Sequence, residues 1–283
     1  MSLRHVVQVL PAQATQDGAG VRLLRALGYQ RHARLDPFLM MDAFSSDDPQ
    51  DYIAGFPAHP HRGFETVTYI VDGHMRHRDH MGNEGDLRAG GVQWMTAGRG
   101  IIHEEMPQQE NGLLRGFQIW LNLPAATKMQ PAAYQDIPAE QIPVHALDDG
   151  GFIKLIAGTL ELSGQVIVGA QQGGQATQPL IADIRVASSH SLTLPVPAGH
   201  HAMAYVFEGQ LQMDGQTVEV GNSVIFGEGD ELRLSAGNEH VRVILLAGRP
   251  LNEPIAQYGP FVMNTSEEVE QALADYRNGV LAE

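Results

Sequence analysis

The sequence contains no cysteine among its 283 residues. Disulfides, thiolate metal ligands and cysteine nucleophiles are therefore excluded. Aromatic residues make up only 6%, and the 18 basic residues are outnumbered by 33 acidic residues, which gives a formal net charge of −15. A surface this acidic repels phosphate backbones, so we expect no direct binding to nucleic acid.

Long apolar segments are also missing. No run of about 18 apolar residues occurs, so we expect no membrane-spanning helix. The first residues lack the apolar core and the small-residue cleavage site of a secretory signal. We therefore expect a cytoplasmic protein.

Glycine and proline, in contrast, are abundant, with 31 and 16 residues. This composition favours many short strands joined by turns over long helices. Short apolar groups at Thr66–Val71, Gly116–Leu123, Phe152–Ile156 and Val241–Leu246 are separated by turn residues. Their spacing predicts an all-β fold, either a sandwich or a barrel.

Prolines recur at short intervals between Pro124 and Pro143, where they would interrupt a strand or a long helix. We therefore predict two β-domains, residues 1–130 and residues 146–283, joined by a linker of residues 131–145.

An internal repeat supports two similar halves. The segment Tyr69–Gly73 resembles Tyr205–Gly209, and each is a strand that ends in an acidic residue and a glycine. Superposing the two segments places Pro195 at the position of His59, and a second proline two residues further on. The second half therefore lacks the histidine pair of the first, and we expect it to bind no transition metal.

One helix is predicted near the end of the chain. Thr265 and Glu268 have the spacing of a capping box. Apolar residues from Val269 to Tyr276 recur at helical intervals, and Gly279 follows as a stop signal. We expect a short C-terminal helix with a structural role.

The most informative residues are two pairs with the spacing i, i+2. Residues two apart in a strand project from the same face, so His59 and His61 point together, as do His103 and Glu105. Two such pairs on neighbouring strands would converge on one point. Three imidazoles and a carboxylate suit Fe(II), Mn(II), Ni(II), Cu(II) or Zn(II), and do not suit Mg or Ca. Glu65 shares the alternation of the first pair and is an alternative fourth ligand.

The other close histidines carry less weight, because a chain with 13 histidines contains some pairs by chance. His74, His77 and His80 lie in and beyond a predicted hairpin turn and are interpreted as solvated. His200 and His201 are interpreted as surface or structural residues.

The order His-x-His-x₃-Glu followed by Gly-x-x-His is similar to that of cupin metal sites. More specifically, the stretches His59–Val67, Gln93–Pro107 and Gly259–Thr265 closely resemble signature stretches of the pirin family, and they span almost the whole chain. The resemblance implies a bicupin, with two facing β-barrel (jelly-roll) domains and a metal in the N-terminal barrel alone.

The resemblance also implies which carboxylate completes the site. Pirins take their fourth ligand from the glutamate two residues after the third histidine, which here is Glu105. Glu65 then becomes a neighbouring carboxylate that could orient an imidazole. The implied cofactor is one divalent transition metal per chain, held by His59, His61, His103 and Glu105. Fe(II) is expected first, with Mn, Ni, Cu or Zn as alternatives.

Two functions follow from the resemblance. Several pirins resemble quercetinases, which implies a flavonol (quercetin) 2,3-dioxygenase acting on a polyphenolic substrate and O₂, with Glu105 as catalytic base. Others are binding proteins, which implies a non-enzymatic, redox-sensing pirin that regulates a protein partner. A metal that serves only stability is the third alternative.

Overall fold

The computed structural model describes residues 2–29, 34–171 and 176–283. Within these ranges the chain forms 26 β-strands and one α-helix, which confirms the prediction of a mostly β fold with a C-terminal helix. The first thirteen strands are β1 (Val6–Pro11), β2 (Gln13–Asp17), β3 (Val21–Leu27), β4 (Phe38–Ser46), β5 (Phe56–His61), β6 (Phe64–Asp72), β7 (His74–Asp79), β8 (Glu84–Arg88), β9 (Val92–Thr96), β10 (Ile101–Pro107), β11 (Leu114–Asn122), β12 (Ala133–Ile137) and β13 (Val144–Ala146).

The remaining elements are β14 (Phe152–Ala157), β15 (Thr159–Leu162), β16 (Gln165–Val168), β17 (Leu180–Val186), β18 (Ser191–Pro195), β19 (His201–Glu208), β20 (Leu211–Met213), β21 (Gln216–Val218), β22 (Asn222–Phe226), β23 (Glu231–Ala236), β24 (Val241–Gly248), β25 (Ala256–Tyr258), β26 (Phe261–Met263) and the helix α1 (Ser266–Arg277). None of the helices that the structure describes is long and apolar enough to cross a bilayer.

The chain divides into two compact units, and neither is continuous in sequence. The first unit comprises Ala14–Gly28, Phe38–Ala139 and Leu251–Glu283, and the second comprises Met1–Gln13, Tyr29–Pro37 and Glu140–Pro250. The prolines predict two domains that are each continuous in sequence. In the structure, β1 belongs to the second unit, and the segment after β24 belongs to the first. Proline spacing shows where the chain leaves a sheet, but not with which sheet a terminal strand pairs.

The first unit contains a seven-stranded sheet, in the order β12-β9-β6-β11-β4-β3-β2, and a four-stranded sheet, in the order β5-β10-β7-β8. The paired strands are antiparallel. Its buried apolar side chains include one cluster around Phe44, Ile70 and Leu114 and another around Phe64 and Val262.

The second unit has two corresponding sheets, with the orders β1-β22-β19-β24-β17-β14-β13 and β18-β23-β20-β21. They differ in one outer strand: β1 precedes the other strands of its unit in the chain, whereas β12 follows the other strands of the two sheets of the first unit. The repeated segments Tyr69–Gly73 and Tyr205–Gly209 run along β6 and β19, which occupy the same third place in their sheets. The short sequence repeat therefore corresponds to equivalent strands. The core of this unit is one large cluster of aliphatic, methionine and phenylalanine side chains.

The helix α1 begins as the capping box predicts. Thr265 accepts a hydrogen bond from the Glu268 amide, and the Glu268 carboxylate accepts one from the Thr265 amide. Val269 and Ala272 are its buried residues, so α1 packs with one narrow face.

The helix also anchors the end of β5. Arg62, directly after His61, is buried and donates to the Asp275 carboxylate of α1 at 2.6 Å and to the carbonyls of Arg99 and Leu281. This buried charge fixes the backbone just beyond the histidine pair, because leaving it unpaired would cost several kcal/mol.

Candidate metal centre

The site is built on two adjacent antiparallel strands, β5 and β10. His103 lies directly opposite His59, and Ile101 lies opposite His61, so the three histidines share one face of this sheet. One ring nitrogen from each histidine lies within 4.8 Å of those of the other two. The structure thus brings together the three histidines that the sequence singled out.

The free ring nitrogens show how a metal would fit. His59 uses Nδ1 to contact the Pro57 carbonyl at 2.8 Å, and His103 uses Nδ1 to contact the imidazole of His77. Nε2 of His103 and both ring nitrogens of His61 are buried and have no hydrogen-bond partner among the described residues. Buried polar atoms are normally satisfied. These unsatisfied nitrogens are suited to a metal with imidazole ligands.

The protonation of the cluster also fits a metal. Burial lowers the pKa of His61 and His103 well below the usual value, and the neighbouring imidazoles lower both further. The pKa of His59 is lowered as well, chiefly by burial. Neutral imidazoles at physiological pH are the form that metal ligation requires.

Glu105 lies beside the histidines but does not join their cluster of mutually close donor atoms. A β-bulge follows His103, since His103 pairs with His59 but Glu105 pairs with Phe56. The Glu105 carboxylate is buried and accepts a hydrogen bond from Thr68 Oγ1 at 2.9 Å. Burial raises its pKa to about 7, although the Thr68 hydroxyl opposes this. Its role as fourth ligand remains a prediction.

Glu65 lies elsewhere, for a reason that the strand alternation could not reveal. The chain turns at Arg62 and Gly63 between β5 and β6, so the alternation does not continue from His61 to Glu65. Glu65 accepts a hydrogen bond from Thr96 at 2.7 Å, on the face of β6 opposite to that of Thr68. The alternation of β5 therefore does not extend to Glu65, and the choice of Glu105 as fourth ligand stays a prediction.

His77 is the residue that sequence reasoning missed. It was expected to be solvated, but only 1% of its surface is exposed, and its Nε2 lies 2.9 Å from Nδ1 of His103. A usable signal was present in β7, where His77 and Met75 alternate with charged residues and are both buried.

The other histidines with a solvated or structural interpretation lie in different surroundings. His74 pairs with the Asp86 carboxylate, and His80 is a surface residue that accepts a hydrogen bond from the Ile102 amide. His200 is buried, and Nδ1 of His201 contacts the Asp36 carbonyl at 2.7 Å.

Opposite the histidines, β6 and β11 provide a wall of mixed polarity. Trp120 is partly exposed and contacts His61 edge-on, with 5.4 Å between ring centroids, and it packs against Phe64. Further along, the Thr68 hydroxyl lies 2.5 Å from Gln118 Oε1. The wall thus offers an aromatic surface near the cluster and polar groups near Glu105.

Comparison with known proteins identifies the family. The pirin family matches residues 20–121, and the pirin C-terminal cupin domain matches residues 181–282. The chain is 48% identical to a Pseudomonas aeruginosa protein named "Putative quercetin 2,3-dioxygenase", over 99% of this chain and 98% of that protein. It is 36% identical to human pirin, over 98% of this chain and 93% of the human protein.

A solved structure gives the same result. The crystal structure of quercetin 2,3-dioxygenase from Acinetobacter baumannii matches with a TM-score of 0.90 and 34% identity, covering 100% of this chain and 99% of that one. The matched family regions, the corresponding sheets of the two units and the full-length relatives agree. The chain belongs to the pirin family and has the bicupin fold.

Proposed function

We propose that this protein is a metal-dependent flavonol 2,3-dioxygenase of the quercetinase type. The observation that carries the proposal is the convergence of three imidazoles, two of which, His61 and His103, are buried and have ring nitrogens without a hydrogen-bond partner among the described residues. The full-length similarity to proteins named as quercetin 2,3-dioxygenases supports it.

The metal would be held by His59, His61, His103 and Glu105. Imidazole-rich sites with a single carboxylate suit redox-capable metals, and we propose Fe(II) as the native ion. When bound, such an ion supplies Lewis acidity toward the 3-hydroxyl group of a flavonol and the redox chemistry of its reaction with O₂.

Glu105 would be the general base that takes the proton of the 3-hydroxyl group. Burial raises the pKa of Glu105 to about 7 in the metal-free protein. A bound cation would lower this pKa, so the carboxylate would be ionised and able to accept a proton in the loaded site. The Thr68 hydroxyl, 2.9 Å from Glu105 Oε1, would hold the carboxylate in place while it accepts the proton. Protein dipoles positioned in this way need no reorganisation during the reaction.

Trp120 would provide the surface for the substrate rings. It is the partly exposed aromatic side chain that contacts the histidine cluster. Aromatic rings pair favourably at centroid separations of about 4.5–7 Å, and a planar polyphenol offers such a ring. The polar groups of Thr68 and Gln118 lie nearby for hydroxyl substituents.

The test combines iron loading with two glutamate variants. Iron-loaded wild-type protein should consume O₂ and release CO when a flavonol is added, as followed by oxygen electrode and flavonol absorbance. Glu105→Gln keeps an oxygen donor of similar volume but loses the basicity, so turnover should fall by about 10²–10⁴-fold, while metal affinity falls less.

Glu104→Gln is the matched control, since Glu104 lies next in sequence but projects from the opposite face of β10. It should retain turnover. No flavonol-dependent O₂ uptake by the iron-loaded wild type would reject the dioxygenase proposal. The net charge of −15 would then favour the alternative, a redox-sensing pirin that binds a basic protein partner.

A further inference from the structure

A fourth imidazole, that of His77, contacts His103. The imidazole of His77 is buried at 1% exposure, and its Nε2 lies 2.9 Å from Nδ1 of His103. On the neighbouring strand its direct partner is Glu105, so it adjoins two of the proposed ligands. His77 itself is not part of the cluster of mutually close donor atoms.

The contact between the two imidazoles allows two arrangements of protons. In the first, His77 Nε2–H donates to His103 Nδ1, and the His103 proton then sits on Nε2. In the second, His103 Nδ1–H donates to His77 Nε2, and the proton of His77 then sits on its buried Nδ1. This arrangement leaves the lone pair of His103 Nε2 free. Only the second arrangement lets His103 ligate a metal from the nitrogen that faces the cluster.

The position of His77 is fixed by its own surroundings. Its ring stacks on Tyr134, with 4.8 Å between centroids and 14° between planes. The Tyr134 hydroxyl donates to Asp136, and the other carboxylate oxygen of Asp136 accepts from Gln93 Nε2 at 3.1 Å. A ring clamped in this way offers its Nε2 in one direction, toward His103.

We infer that His77 is a positioning residue for the metal. It accepts the hydrogen bond from His103 Nδ1–H, selects the tautomer that can ligate and increases the electron donation of His103 to the ion. Outer-shell partners of this kind typically contribute about 10–100-fold to metal affinity. The inference rests on the metal centre of the proposed function, but not on its dioxygenase chemistry.

Three variants in β7 test the hydrogen bond. His77→Phe keeps an aromatic ring against Tyr134 but removes the acceptor, whereas His77→Gln places an amide oxygen where it can accept. His74→Gln is the matched control, because His74 lies on the opposite face of the same strand and pairs with Asp86. Zn(II) affinity is measured by chelator competition without flavonol, and the Fe(III)/Fe(II) potential by redox titration.

His77→Phe should bind Zn(II) about 10–100-fold more weakly than wild type and should have a higher reduction potential, because a less electron-rich His103 stabilises Fe(III) less. His77→Gln should recover most of the affinity, and His74→Gln should match wild type. Wild-type affinity in His77→Phe, or equal losses in the Phe and Gln variants, would overturn the inference.

A measurement on wild-type protein tests the inference even if a variant misfolds. In ¹⁵N NMR spectra of the Zn(II)-loaded protein, His103 should carry its proton on Nδ1, and a proton on Nε2 would also overturn the inference. Absence of O₂ uptake with an intact affinity pattern would reject the dioxygenase proposal and leave the role of His77 standing.

Discussion

The two units of this protein share a strand order and differ in what fills them. In the first unit, β5 and β10 place His59 opposite His103. In the second, the equivalent strands β18 and β23 place Leu194 opposite Leu232, and both leucines are buried. Most of the buried polar side chains among the described residues belong to the first unit.

This difference indicates which buried residues of the first unit are needed for function and are not required by the fold. The second unit shows that these sheets are compatible with a large apolar core, whose side chains need no hydrogen-bond partners. The first unit keeps imidazoles with unsatisfied nitrogens on its corresponding strands, β5 and β10. Local departures from the rules of core packing are typical of functional sites. In this protein the departure is the pair of buried imidazoles, His61 and His103, whose ring nitrogens lack partners among the described residues.

The largest expected effect is loss of the metal from the first unit. His103→Ala and His61→Ala should each abolish binding, because they remove a ligand and leave a gap in the cluster. Glu104→Ala should bind normally. Elemental analysis should give one metal per wild-type chain. Equal metal loss in all three variants would refute the alternation argument, and two metals per chain would refute the difference between the units.

The second expected effect is on stability and belongs to the second unit. Leu232→Ala removes a fully buried side chain from the large apolar cluster and should lower the free energy of unfolding by about 2–5 kcal/mol. Thr193→Ala, on the exposed face of β18, is the control and should have little effect. Chemical denaturation measures both. A small loss for Leu232→Ala would show that this core is loosely packed.

The parts of this picture that sequence could predict were local patterns. The two i, i+2 pairs needed only strand alternation, and the capping box at Thr265 needed only its own spacing. The burial of His77 depends on Tyr134, which lies more than fifty residues away in sequence, and this contact has no local signature. The place of Glu65 depends on the turn between β5 and β6, which strand alternation alone does not predict. The membership of β1 in the second unit depends on its pairing with β22, which lies far away in sequence.

The third expected effect is a dependence of stability on pH in the metal-free protein. Burial lowers the pKa of His77 to about 4 and lowers those of His61 and His103. At these three histidines the unfolded chain therefore binds more protons below pH about 6.5, and their contribution to stability should fall as the pH decreases from there toward the folded-state values. Glu105, whose pKa is raised to about 7 by burial, opposes this fall with the contribution of one group.

Unfolding experiments between pH 7 and pH 5 would measure this slope. In His77→Phe the slope should be shallower by up to about 1.4 kcal/mol per pH unit, the contribution of one titrating group. His74→Gln serves as the control. An unchanged slope in His77→Phe would mean that His77 is not the source of the acid sensitivity.

The smallest expected effect is a gain in the stability of the metal-free protein when a buried histidine of the first unit is replaced by leucine. His61→Leu removes two buried nitrogens that have no partner among the described residues and substitutes the kind of residue that the second unit uses. The metal-free variant should be more stable than metal-free wild type by about 1–3 kcal/mol, the usual cost of an unsatisfied buried group, while binding no metal.

His103→Leu provides the contrast with His61→Leu. It also removes an unsatisfied nitrogen, but it leaves Nε2 of His77 without its partner, so the gain in stability should be smaller. Thermal unfolding of the metal-free proteins compares the two. If His61→Leu lowers the melting temperature, the unsatisfied imidazole is not a stability cost, and the polar core of the first unit must be stabilised by contacts that the second unit lacks.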